Sequence, residues 1–154
     1  LAVCLSLLGW GVYGPVLHKG QVAMGGSRFR PLICIGIAYF LIAVLVPLAL
    51  LQPLNDKGSW SLVGIAWSTA AGSLGAIGAL GTILAFACGG KPFTVMPVVF
   101  GCAPVINTLT TLSLSNTPTS ALSPFFLAGI LIVGVGAATV LTFGPRGQAV
   151  PKTA

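Results

Sequence analysis

The stretch PFFLAGILIVGVGAATVLTF, residues 124–143, runs for twenty residues without a charged side chain. Wound as an α-helix at 1.5 Å per residue it would span about 30 Å, the thickness of a bilayer's hydrocarbon core. Four further apolar runs occupy 1–17, 31–51, 61–88 and 92–114. All five are continuously apolar rather than alternating, which excludes a closed β-barrel. The run at 61–88 exceeds what a perpendicular crossing needs, so it is expected to tilt or to extend beyond the core. The expected fold is all-α, a polytopic membrane protein with five transmembrane helices.

Composition leads to the same place. Of 154 residues, seven are Lys or Arg and one is acidic; charged residues make up 5% and hydrophobic ones 56%, with a mean hydropathy of +1.05. A domain folding in water carries roughly a quarter charged residues. The net charge is +6 and the pI near 9.6, but the seven basic residues are scattered along the chain singly or in a short loop, so they read as topology determinants and no nucleic-acid partner is expected. Cys4, Cys34, Cys88 and Cys102 lie in or beside apolar runs, without a CxxC pair or a His at ligand spacing. They read as small apolar residues, and no metal or cofactor is expected. The chain begins at Leu1 inside an apolar run, without a Met or a basic leader region, so it is expected to be part of something longer or to lack its true N-terminus.

The breaks between runs carry turn chemistry. Residues 18–30 include three Gly, 52–60 include Pro53, Asn55, Asp56 and Gly58, 89–92 read Gly-Gly-Lys-Pro, and 115–123 are rich in Ser, Thr and Pro. Lys19, Arg28 and Arg30 fall in the first break, Lys57 beside Asp56 in the second, Lys91 in the third, and Arg146 and Lys152 in the tail at 146–154. With five crossings, six cations lie on one side and one on the other. The positive-inside rule then predicts an outward N-terminus, a cytoplasmic C-terminal tail and residence in the inner or plasma membrane. Trp60 and Trp67 would sit at the outer interface.

Within the runs, Gly72, Gly75, Gly78 and Gly81 form a small-residue series, and Ala71, Gly75 and Ala79 are spaced by four. This is the pattern that lets membrane helices approach closely, and these four glycines are expected to serve helix packing. Pro15, Pro47, Pro97 and Pro104 fall at membrane depth. Each removes a helical N–H and frees a carbonyl, and Pro15, Pro97 and Pro104 are candidate hinges. Trp10, Tyr13, Asn107 and Thr108 are candidates for lining a solute cavity, with Tyr39, Thr110 and Thr111 as further polar groups. No carboxylate falls within a run, which argues against proton coupling through a buried acid. His18, beside Lys19 at a run's edge, is a lesser coupling candidate. The Ser/His/Asp, HExxH and phosphate-loop signatures of enzymes are missing, so no enzymatic activity is expected.

Three segments resemble the drug/metabolite transporter superfamily, specifically its EamA-like five-helix repeat. LGWGVYGPVLHKG at 8–20 is similar to the repeat's WG-bearing first helix, with Arg28 or Arg30 leading into the second. GALGTILAFACGGKPFTVMPVVFGCAPVINTLTTL at 78–112 resembles its third and fourth helices with their short connection and mid-helix proline, matched to Pro104 or else Pro97. FFLAGILIVGVGAATVL at 125–141 is similar to the closing helix. The resemblance implies that residues 1–145 form one EamA-like transmembrane domain, half of a ten-helix transporter. Such a half would carry a small metabolite or drug-like solute by alternating access. It would pair with a second five-helix unit, as an antiparallel homodimer or a heterodimer. The chain lacks the intramembrane Glu of the small multidrug-resistance branch, so cation/proton antiport is not implied. The alternative expectation is a non-transporting membrane subunit that packs in a larger complex.

The threading is open to a direct check. After the four native cysteines are replaced by serine, Lys19→Cys and Lys57→Cys are expected to react with a membrane-impermeant maleimide from opposite faces of sealed vesicles. Labelling of both from one face would take the second run out of the membrane.

Overall fold

The computed structural model describes residues 2–115 and 122–145, and all regular secondary structure among them is helical. The predicted Ser/Thr/Pro-rich break falls largely on 116–121 and the predicted cytoplasmic tail on 146–154, outside the described residues. The helices are α1 (Ala2–Ala23), α2 (Arg30–Tyr39), α3 (Val46–Leu50), α4 (Leu62–Ala87), α5 (Pro92–Leu114) and α6 (Pro124–Phe143). A π-helical segment, Phe40–Leu45, joins α2 to α3 without a break. The cause is Pro47: it offers no N–H to the carbonyl one turn earlier, and the ladder widens to i→i+5 ahead of it.

Helix ends follow local chemistry. Proline occupies the first turn of α2, α5 and α6, where its missing N–H has no helical partner to lose. Ser61 caps α4 by accepting the Gly64 N–H at 3.0 Å. Gly25 and Gly26 after α1, and Gly89 after α4, take φ of 68°, 73° and 91°, the left-handed region that stops a helix.

Four segments are long and apolar enough to cross a membrane: Arg30–Leu50, Leu62–Ala87, Pro92–Leu114 and Pro124–Phe143. Helix α1 is not among them. It continues through Ala23 instead of ending at Leu17, and so takes His18, Lys19 and Gln21 into its last turns, which lowers its mean hydropathy. The length is there; the uniform apolarity is not.

The chain divides into two compact units between Cys88 and Gly89. In the first, the C-terminal part of α1 buries Gly14, Leu17 and Gln21, and α4 buries Ala79, Thr82, Ile83 and Phe86. The α4 set follows the i, i+3, i+4, i+7 spacing of a single helix face, and α1, α2 and α4 are mutually in contact. The rest of α4, Leu62 to Gly78, is exposed.

The second unit is an antiparallel hairpin of α5 and α6, closely packed along its length. Thr94, Val98, Gly101, Val105, Thr108 and Leu112 form its partly buried seam on α5, at alternating four- and three-residue steps. That 3–4 repeat keeps one stripe facing a partner helix. A β-carbon added at Gly101 would lie 2.5 Å from the Ala137 β-carbon, and one at Gly134 would lie 3.6 Å from Val105. Of these two glycines in the hairpin, Gly101 makes the tighter approach, against Ala137. At Gly72, Gly75, Gly78 and Gly81 an added β-carbon would meet nothing within 4 Å.

Gly101→Ala is accordingly expected to destabilise the hairpin by about 1–3 kcal/mol through overpacking, read as a lower thermal midpoint by circular dichroism in detergent. Gly75→Ala is expected to stabilise by up to about 1 kcal/mol through helix propensity. A drop in stability for Gly75→Ala would reveal a partner helix seated on that face.

Candidate functional site

Helix α1 brings two of the predicted cavity residues together one turn apart. The Trp10 and Tyr13 rings lie 5.5 Å apart at 59°, an inclined aromatic pair. They line an open groove of about 450 Å³ with Leu5, Ser6, Gly9, Tyr39 and Ile42. Tyr39 ends α2 and Ile42 lies within the π segment, so the groove borders the stretch whose hydrogen-bond register is altered. A neighbouring groove of about 410 Å³ runs along Gly9, Val12, Tyr13, Val16, Leu17 and Ile35. Both are mainly apolar. Ser6, the two tyrosines and the Trp10 indole are the hydrogen-bonding side chains of the first, and none of its lining residues carries a formal charge at neutral pH. The Tyr13 hydroxyl is buried without a partner among the described residues.

The other two predicted cavity residues belong to the hairpin unit. Asn107 and Thr108 line a groove of about 240 Å³ with Thr111, Leu112, Ser115, Leu122 and Phe126, between the end of α5 and the start of α6. The Thr108 hydroxyl donates to the Pro104 carbonyl at 2.9 Å, and Thr110 likewise to Ile106 at 2.9 Å. Such i→i−4 bonds spare a hydroxyl in lipid from going unpaired. Each pair of candidates is thus assembled within its own unit.

Of the candidate hinges, Pro15 lies inside α1, and Pro97 and Pro104 lie inside α5, which runs unbroken through both. All three are exposed, and the two on α5 lie outside the partly buried α5 seam.

The residue that sequence reasoning missed is Gln21. It is 2% exposed, and its Nε2 donates to the Ile83 carbonyl at 3.1 Å, joining α1 to the fully buried centre of the α4 contact. A carbonyl has a second lone pair beyond its helical bond, so Ile83 can accept from Gln21 and still serve its own helix. Among the described residues the Gln21 Oε1 has no partner, nor has the buried Nδ1 of His18 one turn before it. The His18 ring stands edge-on to Phe86 with centroids 5.0 Å apart. A polar residue at the end of an apolar run, spaced seven from Gly14 and four from Leu17, was the available signal. It shares their face.

Among the described residues there is no group of three or more His, Cys, Asp or Glu placed to hold a metal. Comparison with family models, with curated proteins and with solved structures found no match.

The clasp has a distinctive mutational signature. Gln21→Leu deletes both the bond to Ile83 and the orphaned acceptor, and is expected to change stability by less than about 1 kcal/mol. Gln21→Glu leaves a buried charge with no ion-pair partner and is expected to cost about 3 kcal/mol or more. Thermal unfolding in detergent at neutral pH measures both, and equal losses would refute this account.

Proposed function

We propose that the chain is a half-transporter that moves a small amphipathic solute across the membrane by alternating access. It would act through a groove on α1 and α2 and pair with a second five-helix unit of opposite orientation. In this reading α1 is the fifth crossing, and the drug/metabolite transporter resemblance supplies the architecture. The observation that carries the proposal is the groove at Trp10, Tyr13, Tyr39 and Ile42, because it borders the π segment ahead of Pro47. Carriers use interrupted helices where irregular backbone borders a cavity, since such backbone is tolerated in lipid only there. An aromatic, uncharged lining with a few hydroxyls suits a solute having one apolar face and one hydrogen-bonding edge. The chain would catalyse no bond-making.

The α1–α4 contact supports α1 as a crossing. The C-terminal parts of both helices meet at Gln21 and Ile83, as two helices threaded through a bilayer in the same direction would. In this reading the chain resides in a cytoplasmic or plasma membrane, and the cation count would turn its N-terminus outward.

The uncovered glycines of α4 favour a second reading, a membrane subunit that carries nothing and packs into a larger complex through that face.

Reconstituted liposomes separate the two. Uptake of a panel of radiolabelled amphipathic metabolites is expected above that of empty vesicles, falling at least about tenfold for Trp10→Ala, with a smaller loss for Asn107→Ala. Uptake of the panel no faster than into empty vesicles, or equal for the parent and both variants, would favour the subunit reading.

A further inference from the structure

We propose that the turn between α1 and α2 binds the phosphate of an anionic membrane lipid. Left-handed Gly25 and Gly26 reverse the chain directly after α1, and the Gly26 N–H closes the turn on the Gln21 carbonyl at 2.9 Å. The Ser27 hydroxyl then accepts the Arg30 N–H at 3.3 Å, holding the entry to α2. Arg28 and Arg30 are thereby presented on either side of Phe29 at the start of α2. Lys19 stands one turn before the end of α1, on the same end of this helix pair. All three cations are exposed, and Phe29 is 65% exposed.

No carboxylate is at hand to neutralise these cations. The sole acid, Asp56, lies beyond the 21-residue helical stretch Arg30–Leu50, about 30 Å of rise. Its carboxylate already accepts the Gly58 N–H at 3.0 Å. That separation is several times the screening length of roughly 8–10 Å at physiological salt. The N-terminal end of α2 adds positive potential of its own.

Guanidinium forks pair with phosphate oxygens in two parallel hydrogen bonds. An exposed aromatic ring between two such forks, directly before a membrane-length apolar helix, suits a ligand with a phosphate above and hydrocarbon below. That combination selects a phospholipid over free phosphate. The site depends on membrane insertion and not on transport, so it stands or falls independently of the proposed carriage of solute.

Native mass spectrometry of the whole chain, released from micelles holding equal phosphatidylglycerol and phosphatidylcholine, tests this. The parent is expected to retain phosphatidylglycerol preferentially. Each cation near the surface contributes about fivefold to such binding, so Arg28→Gln with Arg30→Gln is expected to lower the preference by roughly 30-fold. Lys57→Gln, at the far end of the helix, is expected to leave it within about twofold, and Arg28→Lys with Arg30→Lys to give an intermediate loss, since the charge stays while the two-bond fork goes. Circular dichroism confirms that each variant is folded. Phe29→Ser is expected to weaken lipid retention, and 10 mM inorganic phosphate to displace little of it. An undiminished preference in the double Gln variant, an equal loss in Lys57→Gln, or full displacement by inorganic phosphate would each overturn the proposal.

Discussion

A backbone N–H or C=O with no partner costs several kcal/mol in hydrocarbon, and the rest of this molecule answers to that constraint. It demands helices wherever the apolar runs enter lipid, and it makes each internal proline a local problem. At Pro47 the chain answers with a π segment over Phe40–Leu45. At Pro15, Pro97 and Pro104 the α-helix continues through the residue. Along α5 and α6, hydroxyls turn back onto their own helices, as Thr108 does to Pro104 and Thr142 to Ala138. Polar atoms that do escape this pairing, at Tyr13, His18, Gln21 and Thr94, stand out for that reason.

The two units solve helix packing differently. In the α5–α6 hairpin the contact is distributed along a regular seam that tightens where Gly101 meets Ala137. Between α1 and α4 it is concentrated at the C-terminal ends, around a fully buried Ile83 and one side-chain hydrogen bond. Dispersion dominates the first, since small residues let many weak contacts accumulate. The second rests on few groups, and its polar member is half satisfied.

How much was legible beforehand varied with the range of the physics involved. The helices from Arg30 onward could be read from apolar run length, and their starts from Pro31, Ser61, Pro92 and Pro124, because those signals are local. The end of α1 could not. A run ending at Leu17 ignores that His18 and Gln21 continue on the same face toward Phe86 and Ile83, more than sixty residues away. Glycine spacing singled out the α4 series, yet the close approach within the hairpin uses Gly101, a lone glycine in α5 whose importance depends on Ala137 opposite. Composition can identify a small residue but not which helix will lie against it. Trp10 and Tyr13 were named for their polarity alone, and their ring pair was visible only in the structure. Its joining by Tyr39 and Ile42 required knowing how α1 meets α2. Asn107 and Thr108 were chosen for polarity and do share a groove, in the hairpin unit.

The placement of the Gln21 clasp has a mechanical corollary. Trp10 lies eleven residues earlier on the same helix, about 16 Å away along its axis, and the N-terminal portion of α4 is exposed. With α1 pivoting at the clasp like a lever on its fulcrum, a swing of about 10° would carry the aromatic end by roughly 3 Å, given that axial rise. That displacement is comparable to the width of a water molecule, and would come from a joint that itself scarcely shifts.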